Sequence, residues 1–370
     1  MVCEPEKFEA LSKVFHRWNL DAVKIGEVTE KRSIELHWHG EVLTDIDPDL
    51  LVENAPQYNR AYKKLGDQNR TESRAAWTQA KDGLNSGAAG EKLKGLLKDI
   101  RGTSRKFIYR QYDSRVGAAT ARDTSDSVGV VRLKDSNRAL GVVLGCRPHI
   151  MRLDARIGGL DAVAYPALEM ALKGFEALAV TDCLNFGNPE KENVMSEFVA
   201  ALDGMNSICA SLEAPIISGN VSFYNETMGK NITSTPSTGL IGLRNSLDRL
   251  PVSYFETENQ AIYVLKLPGF ISGGYAQEIA SNKQQAVGEL DARIVANFIR
   301  VAKTLSEASQ VQATRAVGKF GLAYALSRMC LEGTGAVIEP NGLKLIRTEV
   351  DQAALFEEHL YEAIFVVDGK

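Results

Sequence analysis

Between residues 106 and 248 the chain alternates two apolar patterns, and this alternation constrains the fold more than any other feature. Short aliphatic runs of strand length are VGVVRL from Val128, ALGVVLG from Ala139, ALAVTD from Ala177 and APIISGN from Ala214. Longer amphipathic stretches with helical period separate them, DAVAYPALEMALKG from Asp161 and VMSEFVAALDGMNSICASL from Val194. Alternation of this kind predicts an α/β sandwich in which helices cover one sheet. Residues 249–370 repeat the scheme with AIYVLKLPG, helical patterns over Ala292–Ala308 and Leu322–Leu331, and a closing strand, EAIFVVDGK, so they read as a second α/β domain.

The remaining blocks are less regular. Residues 1–60 combine a helical period (Phe8, Leu11, Val14, Phe15, Trp18) with strand-like SIELHWHGEVL, a small α/β piece too short for a full domain. Residues 61–105 are polar, with ten Lys or Arg against five Asp or Glu, and read as a solvated helical linker. A nucleic-acid-binding arm is the sharper alternative. A local excess of that size on a chain of net charge −4 is a weak electrostatic footprint, and no nucleic-acid partner is expected.

No apolar run approaches a membrane span, and the acidic start MVCEPEKFEA lacks the features of a signal peptide, so no membrane partner and a cytoplasmic location are expected. The five cysteines have no CxxC spacing and read as reduced core thiols.

Two polar clusters stand out against this frame. TDCLNFGNPE, Thr181 to Glu190, and SGNVSFYNE, Ser218 to Glu226, each follow an apolar run and are expected where a strand stops, the usual ligand-binding edge of α/β folds. Asp182 and Glu190 are suited to Mg²⁺, Asn185 and Asn188 to neutral contacts, and Gly187 to close approach of an anion. Gly219, Asn220, Ser222, Asn225 and Glu226 would cradle phosphate oxygens and a metal from the facing side. The alternative is a pair of Asx-rich turns, which need fewer such residues. Neither stretch is a Walker A loop or carries a Lys or His near its centre. The chemistry implied is therefore positioning of a nucleotide, with proton transfer elsewhere.

Smaller features carry structural readings. His37 and His39 share a strand face but lack a nearby third ligand, so they are expected as solvated strand residues. Cys183 has no flanking base and reads as a strand-end core thiol rather than a nucleophile. His149, in CRPHIM, is expected to be structural or exposed, with contact to phosphate as the alternative. Gly273-Gly274 reads as a plain turn rather than an anion-binding helix start.

DCLNFGNPEK, SGNVSFYNET and the Thr235-Pro236 segment together resemble the synthetase subunit of phosphoribosylformylglycinamidine synthase, also called formylglycinamide ribonucleotide amidotransferase, specifically its second half. QYDSRV, SDSVGVVR and LDARIGGLDAVA agree more loosely. The resemblance is dense from Tyr112 to Leu243 and implies the aminoimidazole ribonucleotide synthetase superfamily. The implied fold is α/β (α+β): residues 1–60 as the tail of a preceding synthetase-like C-terminal domain, 61–105 as a linker, 106–248 as the N-terminal domain with the nucleotide cradle, and 249–370 as a truncated, degenerate C-terminal domain.

The implied activity is ATP-dependent conversion of formylglycinamide ribonucleotide to formylglycinamidine ribonucleotide, a ligase step of purine biosynthesis using ammonia from a glutaminase subunit or domain. The cofactors implied are ATP and Mg²⁺. Carried over residue by residue, ATP contacts fall on Asp182 and Gly219, the magnesium contact on Asn220 and the substrate contact on Ser222. No catalytic residue falls in this chain, because the family's catalytic His lies in the first half. The implied partners are that first half, the glutaminase and the substrate, with a homodimer of the fragment as a further arrangement. The chain thus reads as an incomplete, inactive fragment cut at equivalent points of a two-fold repeat.

Two departures from the family pattern point to a degenerate site in the fourth block. AVGKFGL, Ala316 to Leu322, stands where an Asp-x-Ser-x-Gly-Gly-Leu turn is usual, and Leu355-Phe356-Glu357-Glu358-His359 lacks Glu-Ser-Gln. A non-catalytic, nucleotide-binding structural half is therefore the alternative function. A stand-alone kinase of the superfamily is disfavoured because the cradle lacks a base.

Overall fold

The computed structural model describes residues 1–65, 88–123, 126–268, 290–330, 333–339, 341, 342, 344 and 355–368. It divides into two units, Met1–Asn59 and Arg60–Lys370. The first unit holds helix α1 (Phe8–Arg17) and an antiparallel hairpin of β1 (Ile34–Trp38) and β2 (Glu41–Ile46). No residue of α1 is buried. His37 lies on β1, 3.1 Å from Glu35, whereas His39 turns out of the strand with φ 49°, so the two do not share a strand face.

The second unit is organised around a six-stranded sheet in the order β3-β4-β5-β10-β6-β7. Its strands are β3 (Thr120–Arg122), β4 (Gly129–Arg132), β5 (Ala139–Gly145), β6 (Glu176–Asn185), β7 (Ile216–Ser222) and β10 (Thr235–Arg244). A short hairpin, β8 (Glu226–Thr227) with β9 (Lys230–Asn231), follows β7. In this sheet, among the described residues, only β6 and β7 pair in parallel, and α6 (Glu192–Leu212) makes the crossover between them that a parallel pair requires. The α/β architecture expected from the alternating pattern is present, and the runs quoted above for β4 to β7 fall on those strands.

Helices α5 (Ala155–Ala171) and α6 cover one face of this sheet, where Val130, Val143, Val180, Leu184 and Leu240 are at most 3% exposed. Asp154 caps α5 by accepting from the Ile157 N–H at 2.9 Å. Pro166 lies inside α5 and leaves the Ala162 carbonyl without its helical donor; the Thr238 hydroxyl on β10 donates to that carbonyl instead. The opposite face is open. Leu144 is 80% exposed, and Val131, Val142 and Ile241 are also exposed.

The two helices approach closely through glycines. A Cβ at Gly159 would collide with the Ala201 carbonyl, and one at Gly204 would collide with the Arg156 carbonyl and sit 2.8 Å from the Leu160 nitrogen. The obstacles are backbone atoms, which cannot swing away. Gly204→Val is therefore expected to cost about 2 to 3 kcal/mol, read as a lower urea midpoint. An unchanged midpoint would show that α5 and α6 separate freely.

Residues after 249 add a three-stranded sheet in the order β11-β13-β12, with β11 (Gln260–Lys266), β12 (Val311–Val317) and β13 (Glu362–Asp368). Helices α7 (Ala292–Ser306) and α8 (Gly321–Ser327) match the two helical patterns, while β12 has no counterpart in the apolar pattern. Gly273 and Gly274 lie outside the described residues. One hydrophobic core runs from Val128 to Phe365, across position 248. The stretch expected as a solvated linker contributes too: α2 (Ala89–Lys98) buries Leu96 against Phe320, Tyr324 and Phe356. Among the described residues no helix is long and apolar enough to cross a membrane.

Candidate functional site

The two polar clusters come together because β6 and β7 lie side by side. Asp182 is opposite Gly219, Cys183 opposite Asn220 and Asn185 opposite Ser222. The apolar pattern places these residues just beyond the strands; instead the strands run through them. Side chains on a strand alternate between faces, so the register divides the predicted residues. Asp182 and Gly219 belong to the helix-covered face, and Asn220 and Ser222 to the open one.

Asp182 is half-buried beside Thr238 of β10, the residue that reaches α5. Burial raises its pKa, while the backbone N–H of Asn220 donates to the carboxylate and opposes the rise. On the same side, burial and then the Asp182 charge push the Cys209 thiol of α6 up to about 11. Gly219 is required here for space rather than for backbone angle. A Cβ would stand 2.5 Å from the Asp182 carboxylate carbon, so any side chain would displace the acid. Gly219 itself is exposed and Val221 is 47% exposed, because β7 is the edge strand. The Asp182 carboxylate therefore borders an accessible edge.

On the open face, Asn185 donates from Nδ2 to the Cys183 carbonyl at 2.8 Å. Ser222 Oγ lies 3.1 Å from Asn225 Nδ2, which also donates to the Ser222 and Phe186 carbonyls at 2.8 and 2.9 Å. Cys183, expected as a core thiol, is exposed on this face, and of the five cysteines only Cys209 is buried. The pleat explains the difference: Cys183 neighbours the core-facing Asp182 and Leu184 in sequence and so points the other way.

The remaining polar residues of the clusters are engaged in building the loop. Asn188 Oδ1 accepts from the Glu190 N–H at 2.9 Å, and the Asn188 N–H donates to Asn231 at 3.1 Å. Lys191 pairs with Glu226 at 2.8 Å, and Glu190 accepts from the Tyr224 hydroxyl at 3.2 Å. Gly187 leaves room for Asn231, whose side chain would stand 2.5 Å from an added Cβ. For Asn188, Asn225 and Gly187 the turn-building reading is the one the contacts support. Among the described residues no group of three His, Cys, Asp or Glu is arranged to hold a metal ion.

A second polar centre lies after β5, which runs parallel to β6 and β7 and ends on the same edge of the sheet. Arg147 donates to Asp161 at 2.8 Å and to Glu358 at 2.6 Å. Tyr361 adds a 2.8 Å bond to Asp161, and His149 lies 3.3 Å from Glu358. His149 is 7% exposed, which fits the structural reading given to it. The Leu355–His359 departure thus has a local use, since Glu358 serves as the buried counter-ion of Arg147. Spacing along the chain carries no signal for a partner 211 residues away.

Residues 125–244 match the family described as AIR synthase related protein, N-terminal domain. The chain is 30% identical over 368 residues to the phosphoribosylformylglycinamidine synthase subunit PurL of a Nitratiruptor species, covering 98% of this chain and 48% of the relative. It is 33% identical over 357 residues to the same subunit of Erythrobacter litoralis, covering 92% and 47%. The chain therefore spans about half the length of the curated relatives it matches. Among solved structures, T. maritima PurL complexed with ATP aligns with TM-score 0.65 and 16% identity, over 99% of this chain and 51% of that one. T. maritima PurL complexed with FGAR aligns with TM-score 0.65 and 18% identity, over 99% and 50%. These likenesses establish the fold and bear out the resemblance carried by the two motifs.

Proposed function

We propose, on the premise that the chain belongs with the phosphoribosylformylglycinamidine synthase PurL subunits and matches about half of their length, that it supplies part of an ATP-dependent ligase site. The reaction is conversion of formylglycinamide ribonucleotide to formylglycinamidine ribonucleotide in purine biosynthesis. The substrate's amide oxygen attacks the γ-phosphorus of ATP and ADP leaves. Ammonia, supplied by a glutaminase partner, then adds to the activated carbon, and phosphate departs with the former amide oxygen.

The observation that carries this reading is the Asp182–Gly219 contact on adjacent parallel strands. It sets a half-buried carboxylate, backed by the Asn220 N–H, at an accessible sheet edge. In the proposed roles Asp182 and Gly219 contact ATP, and Ser222 contacts substrate from the open face. Magnesium fits only in part. Asn220 offers one neutral oxygen, the Asp182 carboxylate belongs to the other face, and the described residues form no metal cluster. Asn220 is thus proposed as one ligand among several, the others coming from a partner.

The open sheet face supports a partner as well. Leu144, Val142 and Ile241 form an exposed apolar strip on β5 and β10, on the same sheet face as Asn220 and Ser222 with β6 between, which suits burial against the first half of the synthetase. A homodimer of the chain would use the same strip. A site shared across that interface explains why residues assigned to metal and substrate lie on the uncovered face. The cytoplasm is the compartment proposed for this activity.

ATP titration of the purified chain tests the nucleotide assignment. Gly219→Leu, which displaces the Asp182 carboxylate, is expected to weaken ATP binding by at least about tenfold, while Cys183→Ser, on the other face, leaves it unchanged. Equal loss in both, or loss in neither, would contradict the assignment. The alternative of a purely structural half predicts that Asn220→Ala and Ser222→Ala, placed in a full-length synthetase, lower stability but leave kcat intact.

A further inference from the structure

Arg60 to Lys63 open the second unit, where a solvated linker is expected to begin, yet they are fastened to the loops that follow β6 and β7. The Lys63 N–H donates to Ser196 Oγ at 2.9 Å, and that hydroxyl donates onward to the Glu192 carbonyl at 2.7 Å. Ser196 lies on α6 and is 3% exposed, so this anchor sits inside the fold. At the other end Arg60 donates from Nη2 to the Tyr224 hydroxyl at 3.3 Å and lies 3.7 Å from Glu190. Tyr224 donates in turn to Glu190 at 3.2 Å. These bonds span 133 and 164 residues of sequence, so no local turn accounts for them.

What the short segment holds is the end of the β6–β7 pair. The Phe186 N–H donates to the Ser222 carbonyl at 2.9 Å, and the Tyr224 and Asn225 N–H groups donate to the Gly187 and Phe186 carbonyls at 2.9 and 3.2 Å. Phe223 joins Phe186 and Phe198 of α6 in an aromatic trio, its centroid 6.4 and 5.1 Å from theirs. Tyr224 then adopts a left-handed backbone with φ 59°. A bulky residue rarely takes this conformation, so the contacts around it must hold it there. Ser222 Oγ lies just before this turn and 3.1 Å from Asn225 Nδ2 just after it.

We propose that Arg60 to Lys63 form a positioning strap for the substrate side of the site, attached at Ser196 and Tyr224. The strap acts through the turn after β7 and so fixes the Ser222 hydroxyl. This rests on the assignment of Ser222 to substrate made above. The ion pair between Lys63 and Glu192, 2.7 Å apart, is not the operative contact, because the Lys63 side chain is 78% exposed and such pairs contribute little. The main-chain bond to Ser196 is.

Hydrogen exchange of the full 370-residue chain, and steady-state kinetics after adding the complementary half of a PurL subunit, test this together. Ser196→Ala and Lys63→Pro delete opposite ends of one bond. Each is expected to speed exchange at residues 222–226 about three- to tenfold and to raise KM for formylglycinamide ribonucleotide by a similar factor. Kcat and KM for ATP should stay at wild type, since Asp182 and Gly219 lie within the strand pair. Tyr224→Phe, at an exposed position, should act in the same direction, and Lys63→Ala, which keeps the N–H, should change neither readout. Circular dichroism confirms that each variant is folded. Wild-type exchange at 222–226 in the folded Ser196→Ala and Lys63→Pro variants, faster exchange with unchanged KM, or equal rises in both KM values would overturn the proposal. Absence of turnover with the wild-type chain would instead refute the substrate assignment, and the strap's role with it.

Discussion

Assayed by itself with formylglycinamide ribonucleotide, ATP, magnesium and ammonia, the 370-residue chain is expected to form product no faster than a protein-free control. The strand pair proposed to hold ATP offers a carboxylate, a backbone N–H, an amide and a hydroxyl. None of these is an imidazole or an amine, and the described residues assemble no metal cluster. A positioned general acid or base typically supplies about 10²- to 10⁴-fold, and a preorganised charge stabiliser about 10²- to 10³-fold. The family resemblance assigns the catalytic His to the first half, so both contributions would be missing together. Adding a protein that carries the complementary half of a PurL subunit should restore turnover. Product above control from the chain alone, in a preparation free of host enzyme, would refute the shared-site reading.

Replacing Arg147 is expected to be the most destabilising single change in the second unit. Its guanidinium neutralises Asp161 and Glu358, whose side chains are 1% and 0% exposed. Arg147→Ala leaves two buried carboxylates without their cation, a loss of about 3 to 5 kcal/mol. Urea unfolding at neutral pH measures this. A loss under about 1 kcal/mol would mean that solvent reaches the pair. Because Glu358 follows the Leu355-Phe356 pair that packs on α8, the same variant should also loosen the contact between the large sheet and the C-terminal residues.

Periodicity alone located most elements, because the spacing of apolar residues is a local consequence of strand and helix geometry. ALGVVLG, ALAVTD and APIISGN are strands, and the stretch from Val194 to Leu212 is helical, as their spacing requires. The motifs TDCLNFGN and SGNVS likewise carried the family resemblance without any coordinates. Period also has a limit: VQATRAV, which became β12, mixes polar and small residues, and the polar stretch around Leu96 hid a single buried leucine.

Pairing was decided by tertiary structure, because a strand's sequence does not say which neighbour it will lie against or in what register. The parallel register of β6 and β7 sets Gly219 against Asp182 and turns Asn220 and Ser222 to the opposite face. A shift of one residue would have reversed that division. In the same way, the polar residues of the two clusters were legible as a group, but only their contacts separate Asp182 at an accessible edge from Asn188 and Asn225, which bind their own loop. The ion centre at Arg147 depends on long-range closure, with Asp161 one helix away and Glu358 211 residues on. The sequence by itself determined what each segment could become. The three-dimensional packing chose which charges meet, since electrostatic partners are selected by distance in space and not by separation along the chain.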